Sequence, residues 1–334
     1  MSEQKPLLAL NGITKRFGHS VDPIHRLLNK LGASHQDQYV YAVNDVSLTV
    51  ASKEVVGLVG ESGCGKSTLG RLAVGLLKPD AGVRTWRGQN FDAMSPSEQR
   101  RVRLSVQMIF QDPYASLNPR MRAVDTVTEA PIQHGLITTR DKKTFAQSLF
   151  AKVGLAPEMM DRYPHQFSGG QRSRLGIARA LAVNPEFLVC DEAVAALDVS
   201  IQAQVLNLFM QLRADLDLTY LFISHDLGVV RHLADRVVIM YLGRVVEEGT
   251  GHEIFSRANH PYTQALLAEM PMIRLERKTY HPVAGEIPSP MHPPDGCHFH
   301  PRCPHAMKRC SEEVPDLREI STGHRSACHL NDMQ

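Results

Sequence analysis

Apolar and polar residues alternate in two segments near the start of this 334-residue chain, and this period predicts strands. Residues 7–10, with Ile13 and Phe17, predict an opening strand, and residues 43–50 predict a half-exposed partner. We expect the two strands to pair antiparallel. The polar stretch at 18–39 between them is predicted to be an insertion, whose apolar positions between 24 and 31 favour one short helix.

Three short, fully apolar runs predict strands that are buried on both faces, as in a parallel sheet. They lie at residues 55–59, 187–190 and 220–224, and a helical pattern over 199–215 separates the last two. A strand, a crossover helix and a second strand are typical of a parallel sheet. The chain is therefore predicted to contain an α/β core.

The remaining pattern divides the chain into further elements and two domains. We predict a helix over 94–106, a strand over 106–110, a proline-containing loop over 111–119, helices between 123 and 183, and a hairpin over 237–249. Proline density rises after residue 260, which indicates a separate carboxy-terminal appendage. The predicted domains are 1–258, with a helical subdomain at about 112–184, and 259–334.

Composition and charge exclude several classes of protein. The chain carries 37 basic and 35 acidic side chains, a net charge of +2, without the basic surface that nucleic-acid binding requires. No apolar run approaches the roughly 18 residues that span a bilayer. The first residues do not resemble a secretory signal. We therefore expect a cytoplasmic protein without a nucleic-acid partner.

A glycine-rich segment directly follows the apolar run at 55–59 and precedes a helical pattern. This arrangement is typical of a phosphate-binding loop, in which backbone N–H groups, a helix amino terminus and a lysine surround the phosphates of a nucleoside triphosphate. Lys66 is expected to contact the phosphates, and Ser67 is the expected Mg²⁺ ligand. The predicted binding residues are Gly60, Ser62, Gly63, Cys64, Gly65, Lys66, Ser67 and Thr68.

Two carboxylates end the apolar run at 187–190. A phosphate loop needs a carboxylate on a neighbouring strand to hold Mg²⁺, and Asp191 is in that position. Glu192 follows it and is predicted to activate the attacking water as a general base.

The segment after Phe167 contains Ser168, Gly169, Gly170 and Gln171. Together with the phosphate loop, it resembles the signature of the ATP-binding-cassette (ABC) ATPases. Further residues match the family in order, since Gln111 matches the Q-loop, Asp198 the D-loop and His225 the switch histidine. Ala193 and Ala195 depart from the usual proline and serine, but neither replaces a phosphate or metal ligand.

The resemblance implies a P-loop (RecA-like) core with an antiparallel β subdomain and an inserted helical subdomain. It also implies that two cassettes close on ATP, so that the signature of one faces the phosphate loop of the other. Gln111 and His225 would then sense the γ-phosphate and the nucleophilic water, and Gln111 would join Ser67 and Asp191 around Mg²⁺. A core role for His225 is the alternative.

An aromatic side chain of the opening strand stacks on adenine in this family. Phe17 is in the matching position, and Tyr39 and Tyr41 are weaker candidates. A packed core role for Phe17 is the alternative.

Longer segments resemble the peptide-importer branch of the family, at residues 110–119, 162–171, 260–267 and 285–290. This resemblance implies an ATPase that works with a second, related ATPase subunit, two transmembrane permease subunits and an extracytoplasmic solute-binding protein. It would lie on the cytoplasmic face of the bacterial inner membrane. The branch also includes importers of nickel, glutathione and opine-like solutes.

Four cysteines crowd the end of the chain, at Cys297, Cys303, Cys310 and Cys328. A reducing compartment disfavours disulfides and makes metal binding the leading interpretation. Four thiolates suit either zinc or an iron–sulfur cluster, and free thiols are the third possibility. The resemblance implies a [4Fe–4S] cluster. The nearby histidines are expected to be solvated, although one of them could replace a thiolate: His298, His300, His305, His324 and His329.

Two other functions compete with an importer ATPase. A soluble cassette ATPase in DNA repair or translation would show tandem cassettes or a long coiled coil with basic surfaces. An idle regulatory module would lack Glu192 or His225, and both are present.

Overall fold

The computed structural model of the chain describes residues 5–19, 38–270 and 285–332. The strands, numbered in chain order, are β1 (Leu8–His19), β2 (Gln38–Val50), β3 (Val55–Val59), β4 (Ala81–Trp86), β5 (Gln89–Asn90), β6 (Val106–Ile109), β7 (Phe187–Asp191), β8 (Thr219–Ser224), β9 (Arg236–Tyr241), β10 (Arg244–Thr250), β11 (Arg318–Ser321) and β12 (His324–Ser326).

Helices connect the strands and cover the sheets. They are α1 (Lys66–Val74), α2 (Pro96–Ser105), α3 (Pro113–Ser116), α4 (Ala123–Gln133), α5 (Lys142–Lys152), α6 (Gly169–Leu181), α7 (Val199–Leu216), α8 (Leu227–Leu233), α9 (Gly251–Arg257), α10 (Pro261–Glu269) and α11 (Lys308–Glu312). Within the described ranges, none of these helices combines the length and apolarity that crossing a bilayer requires.

A four-stranded sheet has the order β2-β1-β4-β5, and its β1–β2 pair is antiparallel as predicted. Apolar residues of β1 and β2 face a core shared with the larger sheet and α1. The two strands extend into the predicted insertion, because β1 continues to His19 and β2 begins at Gln38, with Gly18 opposite Tyr39; its bounds at 18–39 stay a prediction. The helix predicted between residues 24 and 31 lies outside the described residues.

The eight-stranded sheet has the order β11-β12-β10-β9-β3-β8-β7-β6, and β9, β3, β8, β7 and β6 run parallel. The prediction of a parallel sheet is confirmed, because β7 and β8 pair parallel on either side of α7. Every residue of β3, β7 and β8 is buried. Burial on both faces explains why these strands have no polar alternation.

The prediction of a loop over 111–119 is wrong in part, because α3 lies within it. Asp112 caps this short helix, since its carboxylate accepts the backbone N–H groups of Tyr114 and Ala115 at 2.8 and 3.0 Å. Proline at the first helical position loses no intrahelical hydrogen bond. The proline that suggested a loop therefore begins a helix.

The carboxy-terminal segment packs directly on the core. Strand β12 pairs antiparallel with β10, with Glu247 opposite Ser326, and Ala327 N–H donates to Val246 O at 2.8 Å. Three aromatic residues join the two parts: the ring centroids of Tyr241 and Tyr262 are 4.7 Å apart, and Phe299 lies 5.4 Å from Tyr241. The domain boundary after residue 258 stays a prediction.

Candidate functional site

Four adjacent parallel strands deliver the predicted site residues to one edge of the large sheet. Strand β3 leads into the phosphate loop, β8 into His225, β7 ends at Asp191, and β6 ends two residues before Gln111. The carboxyl ends of parallel strands are where α/β sheets bind ligands. Sequence order alone did not show that these four segments are neighbours.

The phosphate loop holds Lys66 in an almost fully buried position. The side chain is 4% exposed, and its Nζ donates to Gly60 O at 2.7 Å and to Glu61 O at 2.8 Å. Helix α1 begins at Lys66 directly after the loop. The loop therefore presents a helix amino terminus and a preorganised ammonium group at one place, which suits a polyphosphate.

Gly65 allows the loop to approach the small sheet closely. Its φ is 104°, a conformation that favours glycine, and a Cβ there would overlap the carbonyl oxygen of Ala42 in β2. Gly63 also has a positive φ, 80°, but a Cβ there would have no atom within 4 Å. The two glycines therefore differ in their steric surroundings.

Ser67 and Asp191 form a direct hydrogen bond. Ser67 Oγ donates to Asp191 Oδ1 at 2.8 Å, and Asp191 is 2% exposed. Burial raises the pKa of Asp191, while the Ser67 hydrogen bond and Arg71 act in the opposite direction. A hydroxyl and a buried carboxylate side by side are oxygen ligands of the kind that Mg²⁺ prefers.

Glu192 contacts both of the predicted sensor residues. Its Oε2 accepts a hydrogen bond from Gln111 Nε2 at 2.7 Å, and its Oε1 lies 3.3 Å from His225 Nδ1. The side chain of Glu192 is 11% exposed and that of His225 is 55% exposed. The exposure of His225 argues against a core role.

The backbone helps to place the Glu192 carboxylate. Glu192 has φ of 47°, in the left-handed region, and its N–H donates to Ile223 O of β8 at 3.0 Å. This turn directs consecutive carboxylates differently, so that Asp191 contacts Ser67 while Glu192 contacts Gln111.

The signature turn begins α6. Ser168 Oγ accepts the Gln171 N–H at 3.3 Å, and Gln171 Oε1 accepts the Ser168 N–H at 3.0 Å, which is a capping box. Ser168, Gly169 and Asp198 are exposed. Among the described residues, no hydrogen bond joins this turn to the phosphate loop of the same chain.

The three aromatic candidates lie on the small sheet. Phe17 is 43% exposed and Tyr41 is 38% exposed, and Lys15 Nζ lies 5.7 Å from the Phe17 ring centroid. The guanidinium of Arg16 lies over the Tyr39 ring at 4.7 Å. The exposure of Phe17 argues against a packed core role.

Sequence reasoning missed a carboxylate of the phosphate loop itself. Glu61 pairs with Arg302, which follows it by 241 residues. In the sequence, the nearby Gly60 and Gly63 suggested that this loop makes only backbone contacts to phosphate. No local pattern connects two residues so far apart.

None of the four carboxy-terminal cysteines forms a disulfide. Burial raises the pKa of Cys297 to about 11, and the neighbouring thiols of Cys310, Cys328 and Cys303 act in the same direction. Backbone N–H groups two residues further along the chain oppose the rise in pKa of three of the thiols by hydrogen bonding: Phe299 for Cys297, His305 for Cys303 and Leu330 for Cys328.

Hydrogen bonds of this kind surround the sulfurs of iron–sulfur centres, so the thiol chemistry fits a cluster. A single zinc ion needs converging ligands, with thiolate sulfurs only about 3.8 Å apart at tetrahedral bond angles. In the described ranges, no group of three or more His, Cys, Asp or Glu side chains is arranged to hold one ion.

The prediction that the nearby histidines are solvated is wrong for three of them. His298, His324 and His329 are 9%, 3% and 6% exposed. His298 Nδ1 contacts Leu242 O at 3.1 Å, and His324 Nε2 contacts Glu247 Oε1 at 2.7 Å. His329 Nε2 contacts Glu313 O at 2.9 Å. These rings therefore join the segment to the core. Of the other two, His305 is exposed and His300 is half-buried.

Two protein families match this chain in successive regions. A family described as "ABC transporter" matches residues 43–195, and a family described as "Oligopeptide/dipeptide transporter, C-terminal region" matches residues 246–310. The first match contains the phosphate loop and Glu192, and the second contains Cys297, Cys303 and Cys310.

Two bacterial relatives match over most of the chain. The oligopeptide transport ATP-binding protein AppF of Bacillus subtilis is 49% identical over 295 residues, which cover 87% of this chain and 90% of that protein. A putative peptide import ATP-binding protein of Brucella ovis is 43% identical over 97% of this chain and 98% of that protein.

A solved structure shares the fold. The dimeric, post-hydrolysis ATP-binding cassette MJ0796 bound to ADP and phosphate superposes with a TM-score of 0.61 and 25% identity, covering 73% of this chain and 98% of that one.

Proposed function

Because this chain belongs to the ABC transporter ATPases, we propose that it is the ATP-hydrolysing subunit of a bacterial peptide importer. One observation carries the proposal: Glu192, Gln111 and His225 meet at the strand edge beside the phosphate loop. Similarity to transport ATP-binding proteins extends over both the ATPase region and the carboxy-terminal region. This similarity favours transport over a nucleic-acid ATPase.

The residues of the site would have different roles in ATP binding and hydrolysis. Lys66 and the N–H groups of the loop would bind the phosphates, and Phe17 would stack on adenine. Glu192 would accept the proton of the attacking water while Gln111 and His225 hold its carboxylate. Ser67, Asp191 and Gln111 would hold Mg²⁺, which neutralises phosphate charge when bound.

A second cassette would complete the site. Exposure of Ser168 and Gly169 leaves the signature turn open to another subunit, and Val199, next to Asp198, is 83% exposed. The signature turn, including Gly170 and Gln171, would then bind the γ-phosphate held by the partner, and Asp198 would follow the opposite subunit. Such closure would act on two permease subunits at the cytoplasmic face of the inner membrane.

The cargo would be a di- or oligopeptide, delivered by an extracytoplasmic solute-binding protein. The second family match and the names of the relatives support this choice over nickel, glutathione or opine-like solutes. A related but different chain would serve as the second ATPase subunit.

The decisive experiment reconstitutes the chain with its permease, partner ATPase and solute-binding proteins in liposomes. Peptide uptake should require ATP and should be lost in Lys66→Met, because the buried ammonium of the phosphate loop is removed. Lys78→Met is the matched control, since Lys78 is an exposed lysine just after α1. Uptake that persists in Lys66→Met would refute the assignment.

The cysteine site is proposed to hold a [4Fe–4S] cluster through Cys297, Cys303, Cys310 and Cys328. The N–H groups aimed at three of the sulfurs support this proposal. A cluster would cross-link the carboxy-terminal segment, whose helices and strands after residue 285 are short. Anaerobic iron and sulfide analysis of the purified chain should give about four of each per polypeptide. Stoichiometric zinc without iron would contradict the cluster.

A further inference from the structure

The carboxy-terminal segment reaches the phosphate loop through a bidentate ion pair between Arg302 and Glu61. Nη1 lies 2.8 Å from Oε2 and Nη2 lies 2.9 Å from Oε1. The two side chains are 5% and 21% exposed, whereas the side chains of the surface pair Lys53–Asp217 are 60% and 68% exposed. Parallel charge-assisted hydrogen bonds with little solvent screening are strong and directional.

Each polar group of Glu61 is held in place. Its N–H donates to the hydroxyl of Tyr262 at 2.9 Å, while its carbonyl accepts Lys66 Nζ at 2.8 Å and the Cys64 N–H at 3.3 Å. Tyr262 and Arg302 belong to the carboxy-terminal segment, whereas Lys66 is the phosphate-binding lysine. Glu61 therefore links that segment to the ammonium group of the nucleotide site.

Arg302 is itself fixed by aromatic residues. The whole residue is 7% exposed. Its Nη1 lies 3.4 Å from the Tyr241 hydroxyl, and its guanidinium lies 5.9 Å from the Phe299 ring centroid. The next residue is Cys303, so the position of the guanidinium depends on how the cysteine segment folds.

We propose that Arg302 is a positioning residue for the phosphate loop, through which the carboxy-terminal segment sets the affinity of this subunit for ATP. By holding the Glu61 carboxylate, it keeps the Glu61 carbonyl oriented toward Lys66. The proposal rests on ATP binding at this loop, which is part of the proposed function, and is independent of the transported cargo.

The test is equilibrium binding of MgATP to the full-length chain, measured by calorimetry alongside the melting temperature without nucleotide. Arg302→Met keeps an apolar stem but removes the charge, and should weaken ATP binding by about tenfold, because one buried charge loses its partner. Arg302→Lys should recover most of this loss, since charge is restored without the bidentate fork.

Arg325→Met is the matched control. It breaks a different arginine contact of the carboxy-terminal segment, Arg325 to Glu248 of β10 at 2.8 Å, which does not involve the phosphate loop. Its ATP affinity should equal that of the unaltered chain. Equal losses in both variants would overturn the proposal, because a general loosening of the segment would then explain them.

A double-mutant cycle tests the route through Glu61. The double variant Glu61→Gln/Arg302→Met should lose less ATP affinity than the product of the two single-variant fold-losses. The reason is that the neutral amide at position 61 no longer needs a charged partner. Strictly multiplicative losses would overturn the proposal. If Arg302→Met does not fold, Arg302→Gln, which also removes the charge, takes its place in the cycle. Unaltered chain that fails to bind ATP would instead refute the proposed function.

Discussion

Gln111 Nε2 donates a hydrogen bond to Glu192 Oε2 at 2.7 Å, joining the ends of β6 and β7. Residues 81 positions apart therefore form one unit, and the carboxylate is oriented before any nucleotide arrives. His225 Nδ1 contacts the other carboxylate oxygen at 3.3 Å. A general base held from two sides is well placed to act on a single water molecule.

Replacing Glu192 with Gln should lower ATP hydrolysis by about a hundredfold or more while leaving ATP binding intact. The amide keeps its size but cannot accept a proton from water. ATP should then trap closed dimers, which size-exclusion chromatography detects. Glu158→Gln, an exposed position in the helical region, is the control. Ordinary turnover by the Glu192 variant would exclude it as the base.

Gln111→Ala should lower hydrolysis by about tenfold, which is less than the Glu192 substitution does. One charge-assisted hydrogen bond is lost, and such bonds contribute about 1.5–3 kcal/mol. The His225 contact to the carboxylate stays. Steady-state phosphate release from the assembled importer is the measurement. Gln107→Ala is the control, since Gln107 lies on β6, the strand that leads to Gln111, and its Nε2 donates to Arg103 O at 2.8 Å. Equal losses of ATP hydrolysis in Gln111→Ala and Gln107→Ala would contradict the role assigned to the Gln111–Glu192 hydrogen bond.

Gly65→Ala and Gly63→Ala should differ sharply in ATP affinity. Both substitutions place alanine at a positive φ, which costs about 1–2 kcal/mol. Only the first also forces a methyl group onto the Ala42 carbonyl oxygen. Calorimetric titration with MgATP should show binding lost in Gly65→Ala and retained, although weaker, in Gly63→Ala. The opposite order would contradict the packing of the loop on β2.

His260 should make the protein less stable in acid. It is 1% exposed, and burial lowers its pKa from 6.5 to about 4. Below pH 6.5 the unfolded chain binds a proton that the folded chain does not, so stability falls as pH drops from 6.5 to about 4. The full loss is about 3 kcal/mol.

The matched variant is His260→Asn, which can still cap α10 but does not titrate. Urea unfolding at several pH values should show that the unaltered chain loses stability relative to this variant on acidification. Glu247 and His324, which lie beside His260, are common to both proteins, so the difference isolates the ring. A stability difference between the unaltered chain and His260→Asn that does not change with pH would refute the effect of His260.

The phosphate loop and the parallel strands were predictable because their chemistry is local. A buried parallel strand must be apolar on both faces, as Val55 and Phe187 are, and phosphate binding requires glycine and lysine at fixed spacing. The helix at Pro113 was missed because proline is common in loops as well as at the first helical position.

Strands β11 and β12 were missed for a different reason. They are short, and β11 is mostly exposed, with charged residues such as Arg318 and Glu319. Their pairing depends on β10, which no local pattern reveals. The contact of Arg302 with Glu61 was unpredictable in the same way, since it exists only once both segments fold on the sheet.

Strand β12 also covers the edge that β10 would otherwise expose in the large sheet. It occupies the hydrogen-bonding side of β10 that β9 leaves open. During synthesis β10 leaves the ribosome well before β12, so its backbone groups stay available to other chains until the last residues emerge. Truncation before residue 318 would make that exposure permanent and would favour aggregation through edge-to-edge pairing.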